Sequence, residues 1–148
     1  MSGQSDYRRL LESRQLDSTP HRLAVLAAVG DSPRPLRAQD ILIKLRQTRT
    51  INRVTVYRIL DLLVEKGLVE RMSSGDRSFR YGLSPDVHHR PHAHFYCTRC
   101  GLMECLDENR VEFDPGPLEE ALRVIINKVE IRLDGTCKTC LRGRKGNW

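Results

Sequence analysis

The chain has 148 residues, of which 39% are hydrophobic and 30% charged. That length suits one domain, or two small ones, with a real apolar core, and the composition excludes a disordered or fibrous chain. No apolar run reaches the roughly 18 residues of a membrane span. Residues Met1–Gln15 carry no apolar stretch ahead of a cleavage site, so a cytoplasmic, reducing location is expected. The formal net charge is +6, and it is unevenly spread: residues 1–90 hold 16 basic and 10 acidic side chains, residues 91–148 nine of each. A basic front segment beside a neutral back segment is the charge pattern of a chain that meets a polyanion such as nucleic acid through its front half.

The front half predicts three helices and a hairpin. Thr19-Pro20 is a helix start, because a Thr hydroxyl accepts a backbone N–H and Pro at the first helical position forfeits no hydrogen bond. Leu23, Leu26 and Ala27 then share a face, and Gly30 ends the run. Asp31–Pro35 reads as a loop, and Ala38, Ile41, Leu42 and Leu45 form a second amphipathic stretch. A third begins at Asn52, an N-cap, and sets Val56, Ile59, Leu60 and Leu63 at i, i+3, i+4 and i+7 before Gly67 stops it. Arg58 points away from that apolar face and Tyr57 lies at its flank. Leu68–Met72 and Ser78–Leu83 flank the turn residues Ser73–Asp76, and Phe79, Tyr81 and Leu83 alternate, which is a β-hairpin. Three helices followed by a hairpin compose a winged helix-turn-helix, with the third helix entering a major groove and the hairpin as the wing.

The back half predicts a small α/β unit. Phe95-Tyr96 and Leu102–Leu106 read as strands, Leu118, Ala121, Leu122 and Ile125 as a helix, and Val129, Ile131 and Leu133 as a last strand. Its core is thin, which favours a dimerisation module or a metal staple. Lys138–Trp148, with four basic and no acidic residues, reads as a loose tail beyond Cys140. The expected architecture is α+β: a winged-helix domain over 1–84, a hinge over 85–90, and a small α/β dimerisation domain over 91–148.

Four of the five cysteines form two pairs, Cys97-x-x-Cys100 and Cys137-x-x-Cys140. In a reducing compartment two such knuckles point to a tetrahedral four-thiolate zinc site, each tight turn supplying two ligands. A closed four-cysteine site leaves no position for substrate, so its expected role is structural. Four of the five histidines fall in one run, His88, His89, His92 and His94. On a strand, His92 and His94 point the same way and can share a second metal. Two further ligands are needed, from His88, His89, Cys105, Glu104 and Glu70; a mixed N/S/O set favours zinc by softness, although iron or nickel also bind imidazole and carboxylate. No HExxH, GxSxG or GxxxxGK[ST] motif is present. The HxE then PCxxC pattern of zinc deaminases is missing too: His92-Ala-His94 lacks the Glu, and Tyr96 precedes Cys97. An enzyme is therefore not expected.

Ser18-Thr-Pro-His-Arg-Leu-Ala-Val-Leu26, Val54-Thr-Val-Tyr-Arg-Ile-Leu-Asp-Leu-Leu63 running into Glu65-Lys-Gly-Leu-Val69, and His92-Ala-His-Phe-Tyr-Cys-Thr-Arg-Cys-Gly101 resemble the ferric uptake regulator family. The resemblance runs from about Tyr7 to Cys140. It implies a homodimeric, metal-responsive bacterial repressor with an N-terminal winged helix, a C-terminal dimerisation domain, and structural zinc at Cys97, Cys100, Cys137 and Cys140. It carries base-contacting roles onto Tyr57 and Arg58 and a phosphate contact onto Arg22; Arg53, Thr55 and Arg77 are expected to complete the DNA contact. Where iron and peroxide sensors carry ligands, this chain has Pro35, Gly82 and Cys105. The resemblance is therefore nearer the zinc-sensing branch, with a sensory site of Glu70, His89, His92 and His94, and His88 or Cys105 as rival ligands. The expected function is a zinc-responsive repressor of metal-uptake genes acting on a palindromic operator, with no membrane partner. The alternatives are an iron or peroxide sensor of the same family, and a zinc-ribbon or thiol-redox interaction protein.

Overall fold

A computed structural model of the chain describes residues 3–84, 93–106, 111 and 113–143. The chain divides into two units, Met1–His89 and Arg90–Trp148. The expected hinge, 85–90, lies outside the described residues.

In the first unit, α1 (Gln4–Ser13), α2 (Pro20–Gly30), α3 (Ala38–Arg46) and α4 (Arg53–Glu65) precede β1 (Val69–Ser73) and β2 (Phe79–Leu83). The expected starts hold for local reasons. The Thr19 hydroxyl accepts the Arg22 N–H at 3.3 Å, and the Asn52 side chain accepts the Thr55 N–H at 2.8 Å. Gly67, at φ +74°, closes α4: its N–H reaches the Val64 carbonyl and the Leu68 N–H reaches the Leu63 carbonyl. Leu63 and Leu68, on either side of this left-handed end, are both fully buried. The apolar faces of α2, α3 and α4 then converge on one core that includes Leu26, Ile41, Val56, Leu60 and Leu63.

Helix α1 is an addition to the expected elements. It has neither a Pro nor a capping side chain at its start, and it contributes Tyr7 and Leu11, one turn apart and both buried. Tyr7 explains Gly30 differently from a left-handed stop. A Cβ on Gly30 would lie 2.6 Å from Cε1 and 2.7 Å from Cζ of the Tyr7 ring, and the Tyr7 hydroxyl donates to Asp31 at 2.6 Å. The glycine makes room for a neighbouring helix.

β1 and β2 pair antiparallel from Val69↔Leu83 to Ser73↔Phe79. Leu36 adds a bridge to Tyr81, so the end of the loop before α3 touches the wing sheet. The expected Phe79, Tyr81, Leu83 stripe is only partly internal. Tyr81 is buried, but Phe79 stands at the turn end, 47% exposed, with the Arg71 guanidinium 4.5 Å from its ring centre. Arg80 is buried instead, 3.9 Å from Asp40 of α3 and 3.8 Å from Asp76 of the wing turn.

In the second unit β3 (His94–Cys97) is central, antiparallel to β4 (Met103–Cys105) and parallel to β5 (Arg132–Gly135). The helix expected through Ile125 is shorter: α5 (Gly116–Leu122) ends where Arg123 turns left-handed, and Ile125 is 85% exposed. Val129 and Ile131 precede β5 rather than belonging to it. The chain beyond Cys137 forms α6 (Lys138–Arg142), so the tail is helical through Cys140 as far as Arg142.

Gly30→Ala tests the helix contact. Alanine is intrinsically the better helix residue by roughly 0.5–1 kcal/mol, but displacing a buried tyrosine costs about 1–3 kcal/mol. Net destabilisation in urea unfolding is expected, with recovery when Tyr7→Leu is added; a stabilised single variant would refute the contact.

Candidate metal centre and nucleic-acid interface

The four knuckle cysteines are gathered by strand pairing. Cys97 ends β3 opposite Gly135 of β5, and the Thr98 N–H donates to the Gly135 carbonyl at 2.8 Å, which locks the two chain segments side by side. Two residues after Gly135 the chain reaches Cys137, the N-cap of α6, with Cys140 in the same helix. On the other side Gly101, at φ +77°, turns the first knuckle back so that its N–H meets the Cys97 carbonyl at 2.9 Å. The ligand atoms of Cys97, Cys100, Cys137 and Cys140 all lie within 4.8 Å of one another.

These distances fit a tetrahedral thiolate centre. Zinc–sulfur bonds of about 2.3 Å set tetrahedral edges near 3.8 Å. The Cys97–Cys140 sulfurs are 3.8 Å apart and the Cys100–Cys137 sulfurs 3.6 Å. A disulfide needs about 2.05 Å, and all five cysteines are free. The acidity of the thiols is split. The Cys100 backbone N–H, then that of Cys137, hold the Cys97 thiol down at about 6 against the opposing effect of burial. The neighbouring Cys137 thiol, followed by burial, pushes Cys140 up to about 12. Four adjacent sulfurs cannot all ionise unaided; a dication is what would let them.

The second metal set stands differently. His88, His89 and His92 lie outside the described residues. Glu70 is half-buried on β1 of the first unit, opposite Gly82, and His94 is buried at the start of β3. Cys105 is exposed on β4 directly opposite His94, so the two side chains leave the same face of the sheet. Glu104, opposite Phe95, leaves the other face. Among the described residues, the four cysteines are the one group of three or more ligating side chains.

The interface residues sit on α4, on α2 and on the wing. Tyr57 is 39% exposed, Arg58 is exposed, and Thr55 is half-buried at the capped start of the helix. Arg53 is exposed and held from two sides: its guanidinium lies 5.9 Å from the Tyr57 ring centre and donates to Gln39 at 2.9 Å. Gln39 has no counterpart among the expected residues, since a polar residue on an exposed helix face carries no periodic signal. Arg22 is half-buried and donates to the Asp17 carbonyl at 3.1 Å. Arg77 is exposed at the wing tip in a left-handed conformation, φ +66°. That turn is braced by Asp76, whose carboxyl is held far below the usual range by the hydroxyls of Ser74 and Ser78 and the Ser78 N–H.

Cys137→Ser should lower the zinc content by about one ion per chain and abolish cooperative melting of the second unit. Metal analysis and calorimetry check this; a zinc-replete variant that melts like the parent would overturn the assignment.

Comparison with known proteins agrees with this geometry. The model of the ferric uptake regulator family matches residues 13–132. The ferric uptake regulation protein of Bacillus subtilis (strain 168) is 27% identical over 135 residues, covering 90% of this chain and 91% of that protein. The zinc uptake regulation protein of Escherichia coli (strain K12) is 28% identical over 134 residues, covering 90% and 78%. A solved zinc uptake regulator in complex with zinc and DNA superposes with a TM-score of 0.70 at 26% identity, covering 95% of this chain and 93% of that one. These matches displace the zinc-ribbon and thiol-redox readings. The chain belongs to the ferric uptake regulator family, and it is a metal-responsive, DNA-binding regulator, not an enzyme.

Proposed function

We propose that the protein is a dimeric, zinc-responsive repressor of metal-uptake genes that binds a palindromic operator. The observation that carries the zinc reading is the pairing of His94 with Cys105 across β3 and β4, which offers imidazole and thiolate from one sheet face. Thiolate softness favours zinc over iron(II). The sensory ligands are Glu70, His92 and His94, with the fourth from His89 or, in its place, His88 or Cys105; the cross-strand pairing favours Cys105. The ferric uptake relative at 27% identity keeps the iron-sensor reading as the second possibility.

Dimerisation is supported by the apolar surface of the second unit. Phe113, Leu118, Leu122, Val124, Ile125 and Leu133 are all 45% exposed or more in the single chain. A run of large apolar groups of this kind marks a surface meant to be covered. Two copies would present two α4 helices to successive half-sites of a duplex. Tyr57 and Arg58 then reach base edges, while Arg22, Arg53, Thr55 and the wing's Arg77 meet the sugar–phosphate backbone.

Arg58→Ala is expected to weaken specific operator binding by about 1–3 kcal/mol, measured by fluorescence anisotropy; unchanged affinity would refute the role of α4. His94→Ala should remove the metal dependence of DNA binding and leave the four-cysteine zinc in place. Titrating zinc, manganese and iron(II) into metal-stripped sensory sites separates the zinc reading from the iron reading: half-saturation of DNA binding at the lowest free concentration by zinc supports the first, and a response to iron(II) alone supports the second.

A further inference from the structure

A cavity of about 570 Å³ opens where the start of α2, the chain after α3 and the start of α4 come together. Its walls include His21, Arg46, Arg49, Thr50, Asn52 and Thr55, and no carboxylate. Three basic side chains line one space. His21 Nδ1 and Arg49 Nε are shielded from solvent and have no hydrogen-bond partner among the described residues. Buried polar nitrogens are ordinarily paired, so both side chains have a hydrogen bond to gain if they turn toward the cavity.

The guanidinium groups are also held in place. Arg49 Nη1 donates to the Pro20 carbonyl at 3.1 Å, and Arg46 Nε donates to the Ile51 carbonyl at 3.1 Å. Each arginine thus has one donor fixed on the backbone and others left over. The start of α4, a helix of 13 residues, adds the positive end of its dipole beside Asn52 and Thr55. All of these favour an anion with several acceptor oxygens.

We propose that this cavity seats a phosphoryl group, and that its occupant is a backbone phosphate of the bound duplex. The location favours that source over a free anion. Thr55 lies within one turn of Tyr57 and Arg58 on the same helix, so a strand whose bases meet α4 carries its phosphates past the start of that helix. The proposal deepens the DNA-binding reading and rests on it. It assigns His21, Arg46 and Arg49 as backbone-positioning residues, alongside the exposed side chains already named.

The test uses the full-length, metal-loaded protein and a short duplex of arbitrary sequence, because a phosphate contact is blind to sequence. Arg49→Gln and Arg46→Gln should each lower the slope of log affinity against log salt by about 0.9 for every phosphate that is no longer neutralised. Because Arg49 also holds the Pro20 carbonyl, His21→Leu serves as a further variant, expected to weaken duplex binding several-fold. Thermal melting identifies variants that remain folded. In parallel, inorganic phosphate is titrated into the DNA-free protein while the His21 ring is followed by NMR. Lower salt slopes in folded variants support the proposal. Wild-type slopes with a saturable His21 response assign the seat to free phosphate and overturn the duplex source. Wild-type slopes with no His21 response overturn the seat itself. If the parent protein fails to bind any duplex, the DNA-binding reading falls separately, and the phosphate titration still decides the cavity.

Discussion

Four sulfurs drawn to within bonding distance of a single ion are the constraint on which the second unit depends. Among its described residues, Ala93, His94, Tyr96, Cys97, Met103 and Cys137 are buried, and two of these six are knuckle cysteines. A three-stranded sheet with so few internal side chains has little apolar area to set against the entropy of ordering its chain. The parallel pairing of β3 with β5 joins residues about 40 positions apart in sequence, a contact that is slow and costly to form. A dication held by Cys97 and Cys100 on one segment and Cys137 and Cys140 on the other would close that same loop. The metal and the parallel pairing therefore support one another, and neither is expected to persist well alone.

The first unit needs no such staple, and this is what frees its surface for recognition. Its core is built from three amphipathic faces and a fourth helix, and α2 and α4 each start on a side-chain cap of their own. Buried Val56, Ile59, Leu60 and Leu63 hold one side of α4 so firmly that Val54, Tyr57 and Arg58 can remain outside. The wing is tied to the same frame by the buried Arg80, whose two carboxylate neighbours come from α3 and from the wing turn. A buried cation with neighbours on two elements gives register more than stability. Here the register concerns where Arg77 at the wing tip stands relative to α3.

Legibility in the sequence follows the kind of signal each element carries. Thr19-Pro20, Asn52 and Gly67 work through their own hydrogen bonds or backbone angles, so their meaning is local, and the helices they bound are readable. The knuckles are readable because ligand spacing is itself local. Helix α1 lacks such punctuation, and the value of Tyr7 depends on Gly30 some two dozen residues away. The apolar periodicity around Leu118–Ile125 is real but extends beyond the helix that forms there. Apolar spacing reports a surface to be covered, and it does not say whether the cover comes from the same chain. The cavity at His21 and Arg49 is invisible in the sequence for a related reason: its basic groups are scattered along the chain and converge only in the fold.

The choice between zinc and iron turns on an asymmetry of coordination chemistry. For a given set of nitrogen, oxygen and sulfur donors, zinc binds more tightly than iron(II). An iron sensor must therefore exclude zinc through geometry or donor type, whereas a zinc sensor need only set its affinity. As a sensory ligand, Cys105 opposite His94 would work against exclusion, since a thiolate beside an imidazole strengthens the preference for zinc. The resemblance implies the same preference, in that it places ligands of the iron and peroxide branches at the positions of Pro35 and Gly82. A sensory site with a thiolate neighbour in place of such ligands would have little means of refusing zinc. If the proposed sensory set answers to zinc, the four-cysteine centre must bind the more tightly of the two. Only then would it stay filled at the low free zinc at which such a sensory set empties.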